Sequence, residues 1–262
     1  MDTLLYIIMA ALGVVGSFFS GLLGIGGAII NFPLLLYVPP LFGAASFSAH
    51  EVSSISMFQV FFASLAGVLA FRKKGGGAQA VLHKGLVAYM GSSILAGSLI
   101  GGFLSGMLDG NMINLIYGIL AVLAVILMLI PRRGTEEKAG DLSFNKFIAV
   151  GASFLVGIVS GIVGAGGAFI LIPIMLTVLK IPTRTTIASS LAIVFISAIG
   201  GVAGKLTGGG IPLWPTVFTV IGSLIGAPLG SKVSSKINVK LLRYGLVVLI
   251  AFTAVKTWLT IL

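Results

Sequence analysis

Two glycine-rich segments of this sequence have the residue types and spacing to bind an anion. They consist of Gly24, Gly26, Gly27 and Ala28, and of Gly164, Gly166, Gly167 and Ala168. Glycine permits a tight backbone turn, and a helix that starts after such a turn begins with N–H groups that no helical carbonyl accepts. Such N–H groups favour a bound anion. The alternative is that these glycines only allow helices to pack closely.

A pair of serines follows each glycine segment, near the start of the next apolar run. The four residues are Ser53, Ser54, Ser189 and Ser190. A serine hydroxyl at this position can donate to an anion, or it can cap the first turn of its own helix. Capping is the more common role of a single serine, but the repetition beside the glycines keeps anion binding open.

Five other polar residues lie close to these segments in the sequence. Asn31 and Gln59 stand inside apolar runs, where each amide must line a cavity or bond a neighbouring helix. His50 and Glu51 begin such a run, and Glu51 is a candidate proton carrier, with a helix cap as the alternative. Arg184 either steers an anion or, as we favour, belongs to the basic residues that set topology.

The composition requires lipid as the solvent for most of the chain. Of 262 residues, 58% are hydrophobic and 8% are charged, too few polar side chains to cover a water-soluble globule. The net charge of +10 comes from Lys and Arg clusters between apolar runs, a pattern that argues against a nucleic-acid partner. No basic leader or cleavage pattern precedes the first apolar run, so we expect that run in the mature protein.

The sequence also argues against an enzyme. It contains no cysteine, which excludes disulfides, thiolate metal ligands and thiol nucleophiles. No His, Asp or Glu residues within the apolar runs have the spacing of a metal site or a catalytic triad. We therefore expect no catalytic residue, no metal and no cofactor.

Six apolar runs have about the 20 residues needed to cross a bilayer. They extend over Val52 to Phe71, Leu86 to Met107, Met112 to Ile130, Thr185 to Lys205, Leu213 to Ser231, and Leu241 to Leu259. Two longer stretches, Leu4 to Val38 and Phe144 to Leu179, exceed one straight span, and a glycine segment interrupts each of them. The pattern predicts an all-α integral membrane protein.

The chain is an internal duplication. The segment from Ser20 to Pro33 recurs 140 residues later, from Ser160 to Pro173, without a gap. The serine pairs then match with an offset of 136 residues, and the Gly-Ser-Leu-Ile-Gly segment at Gly97 recurs 125 residues later. Because this order is preserved, we assign residues 1–130 to one repeat, 131–145 to a cytoplasmic linker and 146–262 to a second repeat.

Charge counting predicts the orientation of the repeats. If each long stretch enters the bilayer and returns, 14 of the 16 basic residues lie on one side, and only Lys205 and Lys256 lie outside. Eight simple spans would divide the same residues ten to six, a weak bias. The sequence therefore predicts two inverted repeats, each a glycine-broken re-entrant hairpin plus three transmembrane helices, in the cell membrane with both termini outside.

The duplicated Gly-x-Gly-Gly-Ala-x-Ile-x-x-Pro motif, followed in the second repeat by Pro182 and by Ala188 to Leu191, resembles the sulfite exporter TauE/SafE family over nearly the whole chain. That family usually has a third glycine where Ala28 and Ala168 stand, and Thr-Ser where the serine pairs stand. The resemblance implies export of sulfite or of organosulfonates such as sulfoacetate, driven by a proton or another coupling ion.

These observations together predict a secondary transporter that exports small sulfur-containing anions by alternating access. The anion would be held at the glycine-broken helix starts of both repeats, and the partners would be this anion, membrane lipid and a coupling ion. An anion channel or an importer of a related small oxyanion is the alternative. The sequence leaves the choice of sulfur anion and the oligomeric state open.

Overall fold

A computed structural model describes residues 2–23, 28–73, 82–129 and 144–233, with 247–248, 251–252, 255–256 and 258–259. The described residues are helical and contain no β-strand, which confirms the all-α prediction. The helices of the first repeat are α1 Asp2–Leu23, α2 Ala28–Leu41, α3 Ala49–Lys73, α4 Lys84–Ser105 and α5 Gly110–Leu129. Those of the second repeat are α6 Lys146–Val163, α7 Ala168–Pro173, α8 Thr183–Gly208 and α9 Leu213–Val233.

Within the described ranges, six helices are long and apolar enough to cross a membrane: α1, α3, α4, α6, α8 and α9. The predicted spans that start at Val52, Leu86, Thr185 and Leu213 lie in four of them. The span predicted from Leu241 falls mostly outside the described residues. The chain is therefore a multi-pass membrane protein.

The second long apolar stretch is interrupted where its glycines stand. In the first stretch α1 ends at Leu23 and α2 begins at Ala28, while Gly24, Gly26 and Gly27 lie outside the described residues. In the second stretch Gly164, Gly166 and Gly167 have φ angles of 78°, 65° and 77°. This left-handed backbone favours glycine and separates α6 from α7. The predicted break is confirmed in the second repeat.

The two repeats are interlocked. Helix α1 packs chiefly on α9, α4 packs on both α6 and α8, and α3 packs on α8 and α9, so the main contacts cross between repeats. Glycines permit these close contacts: Gly101 of α4 lies against the Ile158 carbonyl of α6, and Gly226 of α9 lies against the Val14 carbonyl of α1. The matched use of these glycines agrees with an internal duplication.

The assignment of Lys205 and Lys256 to the outer surface needs correction. Lys205 lies within α8 and is only 1% exposed, because α8 packs tightly on α3 and α4 at this level. Lys256 is half-buried, with its ammonium 4.0 Å from the centroid of the Tyr37 ring. A buried lysine is not part of a basic surface cluster, so Lys205 carries no weight in the charge count.

Candidate anion site

The turn between α6 and α7 has buried N–H groups for which the described residues offer no acceptor. The N–H groups of Gly164 and Ala165 both donate to the Ser160 carbonyl, at 2.8 and 2.9 Å. Among the described residues, no atom accepts from the N–H groups of Gly166, Gly167 or Ala168, and all three residues are buried. Buried backbone donors are rarely left unpaired, so these three N–H groups are available to donate to a ligand with several acceptor atoms.

This turn lies where the two repeats meet. Gly164 contacts the Ser53 carbonyl of α3 so closely that a Cβ would overlap it, and Ser56 donates to the Gly164 carbonyl at 3.0 Å. A Cβ on Gly166 would lie 2.7 Å from Val60 of α3 and 3.2 Å from Val194 of α8. The turn is therefore fixed between α3 of one repeat and α8 of the other.

The four predicted serines are all buried, but the structure gives them different partners. Ser53 donates to the Ile162 carbonyl at 2.5 Å and so joins α3 to the end of α6. Ser54 donates to the His50 carbonyl of its own helix at 3.0 Å. Ser189 accepts from the His83 N–H at 3.4 Å, and Ser190 also has a polar or electrostatic partner. The structure thus brings only Ser53 of the first pair against the second-repeat turn.

Lys205 is a site residue that the sequence reasoning missed. Its ammonium donates to Ser53 Oγ at 2.5 Å, to Ser105 Oγ, and to the Ile162 carbonyl at 3.1 Å. These acceptors lie on α3, α4 and α6, and they use all three donors of the ammonium. Among the described residues, no carboxylate lies within ion-pair distance of Lys205. Its hydrogen bonds are complete, but the described part of the chain supplies no counter-ion for its charge.

The sequence does carry a signal for the burial of Lys205. Gly201 and Gly208 lie four residues before it and three residues after it, which places all three residues on one face of α8. Small residues on one face of a membrane helix indicate close packing on a neighbouring helix. In the structure Gly201 lies against Met57 of α3, and Gly208 lies against Gly106 just after α4. A lysine on such a helix face is buried even when it lies at the end of an apolar run.

The two predicted amides meet beside α1. Asn31 and Gln59 are 2% and 1% exposed, and both lie against Gly16. The Gln59 amide nitrogen donates to the Gly13 carbonyl at 3.3 Å and to Ser17 Oγ at 3.2 Å, so Gln59 bonds a neighbouring helix. The carbonyl oxygens of both amides are buried and have no partner among the described residues.

Glu51 has the geometry of a helix cap. The backbone N–H and the hydroxyl of Ser48 donate to the Glu51 carboxylate at 2.8 and 2.9 Å, and the Glu51 N–H donates back to Ser48 Oγ at 3.2 Å. This reciprocal pair is a capping box at the start of α3. The His50 ring lies against Gly210, and Arg184 lies in the first turn of α8, with its side chain outside the described part.

The polar groups of this site are mostly hydrogen-bond donors. The part of the chain that the structure describes contains no group of three or more His, Cys, Asp or Glu residues able to hold a metal ion. Backbone N–H groups of the turn, the Ser53 hydroxyl and the Lys205 ammonium all lie against α3, and groups of these types can donate to anions. The arrangement suits recognition of an oxyanion.

Comparison with known proteins identifies the family of the chain. The chain matches the family described as "Sulfite exporter TauE/SafE" over residues 9–257. It is 23% identical over 222 residues to the "Probable membrane transporter protein YunE" of Bacillus subtilis, which covers 78% of this chain and 79% of that protein. A "Probable membrane transporter protein" of Methanocaldococcus jannaschii is 27% identical, with 78% and 72% covered. One of Xylella fastidiosa is 30% identical, with 68% and 65% covered. No solved structure gives a significant match.

Proposed function

The chain belongs to the sulfite exporter TauE/SafE family, and on this premise we propose that it is a secondary transporter exporting small sulfur-containing anions. Sulfite and organosulfonates such as sulfoacetate are the proposed substrates. Its family, and relatives named as probable membrane transporters, place it among membrane transport proteins. The choice of sulfur anions and the direction of transport are the parts that require experiment.

The observation that carries this proposal is the set of N–H groups at Gly166, Gly167 and Ala168 that have no acceptor in the described part of the chain. Successive N–H groups in a left-handed turn form a concave anion site. A sulfite or sulfonate group presents three oxygens, and each can accept a hydrogen bond. Hydrogen bonds to a charged group are stronger than neutral ones, so an oxyanion would satisfy donors that the protein leaves unpaired.

Alternating access follows if the repeats are inverted, as charge counting predicts. The second-repeat turn lies between α3 and α8, one helix from each repeat. Rocking of one repeat against the other would open this position first to one side of the membrane and then to the other. The first-repeat glycines Gly24, Gly26 and Gly27 are proposed to complete the site from the opposite side.

Flux measurements in proteoliposomes test this function. Purified protein would be reconstituted, and uptake of labelled sulfite and sulfoacetate would be followed with and without an imposed proton or sodium gradient. We expect saturable flux that responds to one of these gradients and accelerates when unlabelled anion is present on the far side. Conductive flux that does not saturate would instead indicate a channel, and uptake restricted to another oxyanion would indicate a different substrate.

Cysteine labelling tests the inverted arrangement, and the chain is suited to it because it has no cysteine of its own. Single cysteines at Gly76 or Thr135 should react only with reagents that enter the cytoplasm. Single cysteines at Phe42 or Thr207 should react from outside. The opposite result at Phe42 and Thr207 would restore the arrangement with eight simple spans.

A further inference from the structure

Lys205 places a positive charge inside the helical bundle, at a contact between the repeats. A buried charge is costly unless another charge or a strong dipole compensates it. The Ile162 carbonyl belongs to the last turn of α6, whose C-terminal end carries partial negative charge and stabilises the ammonium in part. Among the described residues, no carboxylate completes the compensation. An ionisable residue in such a position points to a functional site.

Lys205 lies along the proposed pathway of the transported anion. Its partner Ser53 and the Gly166 neighbour Val60 are both on α3, seven residues apart. At a rise of 1.5 Å per residue, this separation is about 10 Å along the helix. Lys205 therefore contacts α3 closer to its N-terminal end than Gly166 does, by about two helical turns. By the charge count, that end faces outside.

The hydrogen bonds of Lys205 close this end of the bundle. The ammonium ties Ser53 of α3, Ser105 of α4 and the Ile162 carbonyl of α6 to α8. All three acceptors are neutral, so an oxyanion would compete for the same donors with stronger, charge-assisted bonds. An anion that took the ammonium would release these contacts. Ser105 could then donate to the anion, and Ser53 could do so by giving up its bond to the Ile162 carbonyl.

We propose that Lys205, Ser53 and Ser105 form a second station for the transported oxyanion, between the Gly166–Ala168 turn and the outer face. This inference rests on the proposed function and assigns the step at which the anion leaves. When the station is empty, the lysine joins α3, α4, α6 and α8 and closes the path. When the anion arrives, it replaces the neutral partners of the lysine and opens the path.

The test compares Lys205→Met, Lys205→Arg and the exposed-lysine control Lys180→Met in proteoliposomes. Saturation curves for sulfite and sulfoacetate would give KM and maximal rate. Lys205→Met should lose transport efficiency by about ten- to a hundredfold, the worth of a hydrogen bond to a charged group. Lys205→Arg keeps the charge and should restore most of it. Lys180→Met removes an equal charge from the surface and should transport as wild type.

The outcomes separate this inference from the proposed function. If wild type transports and Lys205→Met has unchanged KM and rate, the lysine only clamps the end of α6 and the second station is wrong, while the function stands. If wild type moves none of the tested anions, the function itself fails. If Lys205→Met does not insert, Ser105→Cys supplies the test. Saturating sulfoacetate should protect that thiol from a maleimide, and absence of protection would overturn the station.

Discussion

The two repeats share their helices and glycines but differ in their buried polar groups. When the two repeats are aligned on their serine pairs, Lys205 of α8 matches Leu69 of α3. In the register of the Gly-Ser-Leu-Ile-Gly segments, Ser105 of α4 matches Gly230 of α9. Lys205 is buried among polar partners, whereas 49% of Leu69 is exposed. The cation and the hydroxyl that binds it therefore exist at one end of the molecule only.

The reverse difference occurs beside the amides. Asn31 and Gln59 in the first repeat match Leu171 and Phe195 in the second. The first repeat thus has two buried carbonyl oxygens without described partners where the second has apolar side chains. Two identical inverted repeats would give the inward-facing and outward-facing states equal energy. If the repeats are inverted, unequal polar groups make these states differ in energy and in affinity for the anion.

The largest expected effect tests what the repeats share. Gly27→Val and Gly167→Val should each reduce transport by at least about a hundredfold. At Gly167 a β-branched residue does not adopt φ near 77° without strain, and Gly27 is the matching residue of the first repeat. At Gly167 the new Cβ would also lie 2.8 Å from the Val156 side chain. Gly151→Ala is the control, since its Cβ would meet open space. If either valine variant inserts into the membrane and transports normally, the repeat that carries the substitution contributes no turn to the site.

Exchanging an amide for its counterpart tests what the repeats do not share. Asn31→Leu copies Leu171 and removes a buried, unpaired carbonyl, so thermal stability should be unchanged or higher. If that carbonyl serves transport, the rate should fall about tenfold, or about 1.4 kcal/mol. The reverse exchange, Leu171→Asn, buries a new amide and should lower stability by about 1 to 3 kcal/mol. Unchanged transport in Asn31→Leu would give the amide no part in the difference between repeats.

A smaller difference is expected between matched serines. Ser53→Ala removes a hydroxyl bonded to the Lys205 ammonium and should cost about 1.5 to 3 kcal/mol. Ser189→Ala removes the acceptor of one 3.4 Å bond from the His83 N–H and should cost less, about 0.5 to 1.5 kcal/mol. Thermal unfolding in detergent measures both. Equal losses of stability in the two variants would mean that the hydrogen bond from Lys205 to Ser53 adds no stability.

The smallest effect is expected at Glu51. Glutamine also completes a capping box, so Glu51→Gln should keep the start of α3 and change transport by no more than about twofold. The measurement is proton-driven uptake in proteoliposomes, beside the same variant driven by an anion gradient alone. Selective loss of the proton-driven component would restore Glu51 as a proton carrier and add it to the groups that distinguish the first repeat.

Local sequence pattern accounts for the helices and the break. Apolar runs of about 20 residues locate the spans, and the glycines at Gly164 to Gly167 locate a turn whose backbone only glycine adopts easily. The environment of Lys205 depends on packing between helices distant in sequence, which brings Ser105 and Ile162 to it from two other helices. No single run contains that information. The two amides likewise meet only because α2 and α3 both pack on α1.

The most direct test of the account is anion binding by the second-repeat turn. Isothermal titration of sulfoacetate into purified wild type, Gly166→Val and Gly151→Ala would measure it without transport. The account predicts that wild type and Gly151→Ala bind alike, with affinity lost in Gly166→Val, because the valine fills the space between Val60 and Val194 and strains the N–H turn. A Gly166→Val protein that inserts normally and binds sulfoacetate as wild type does would contradict the account.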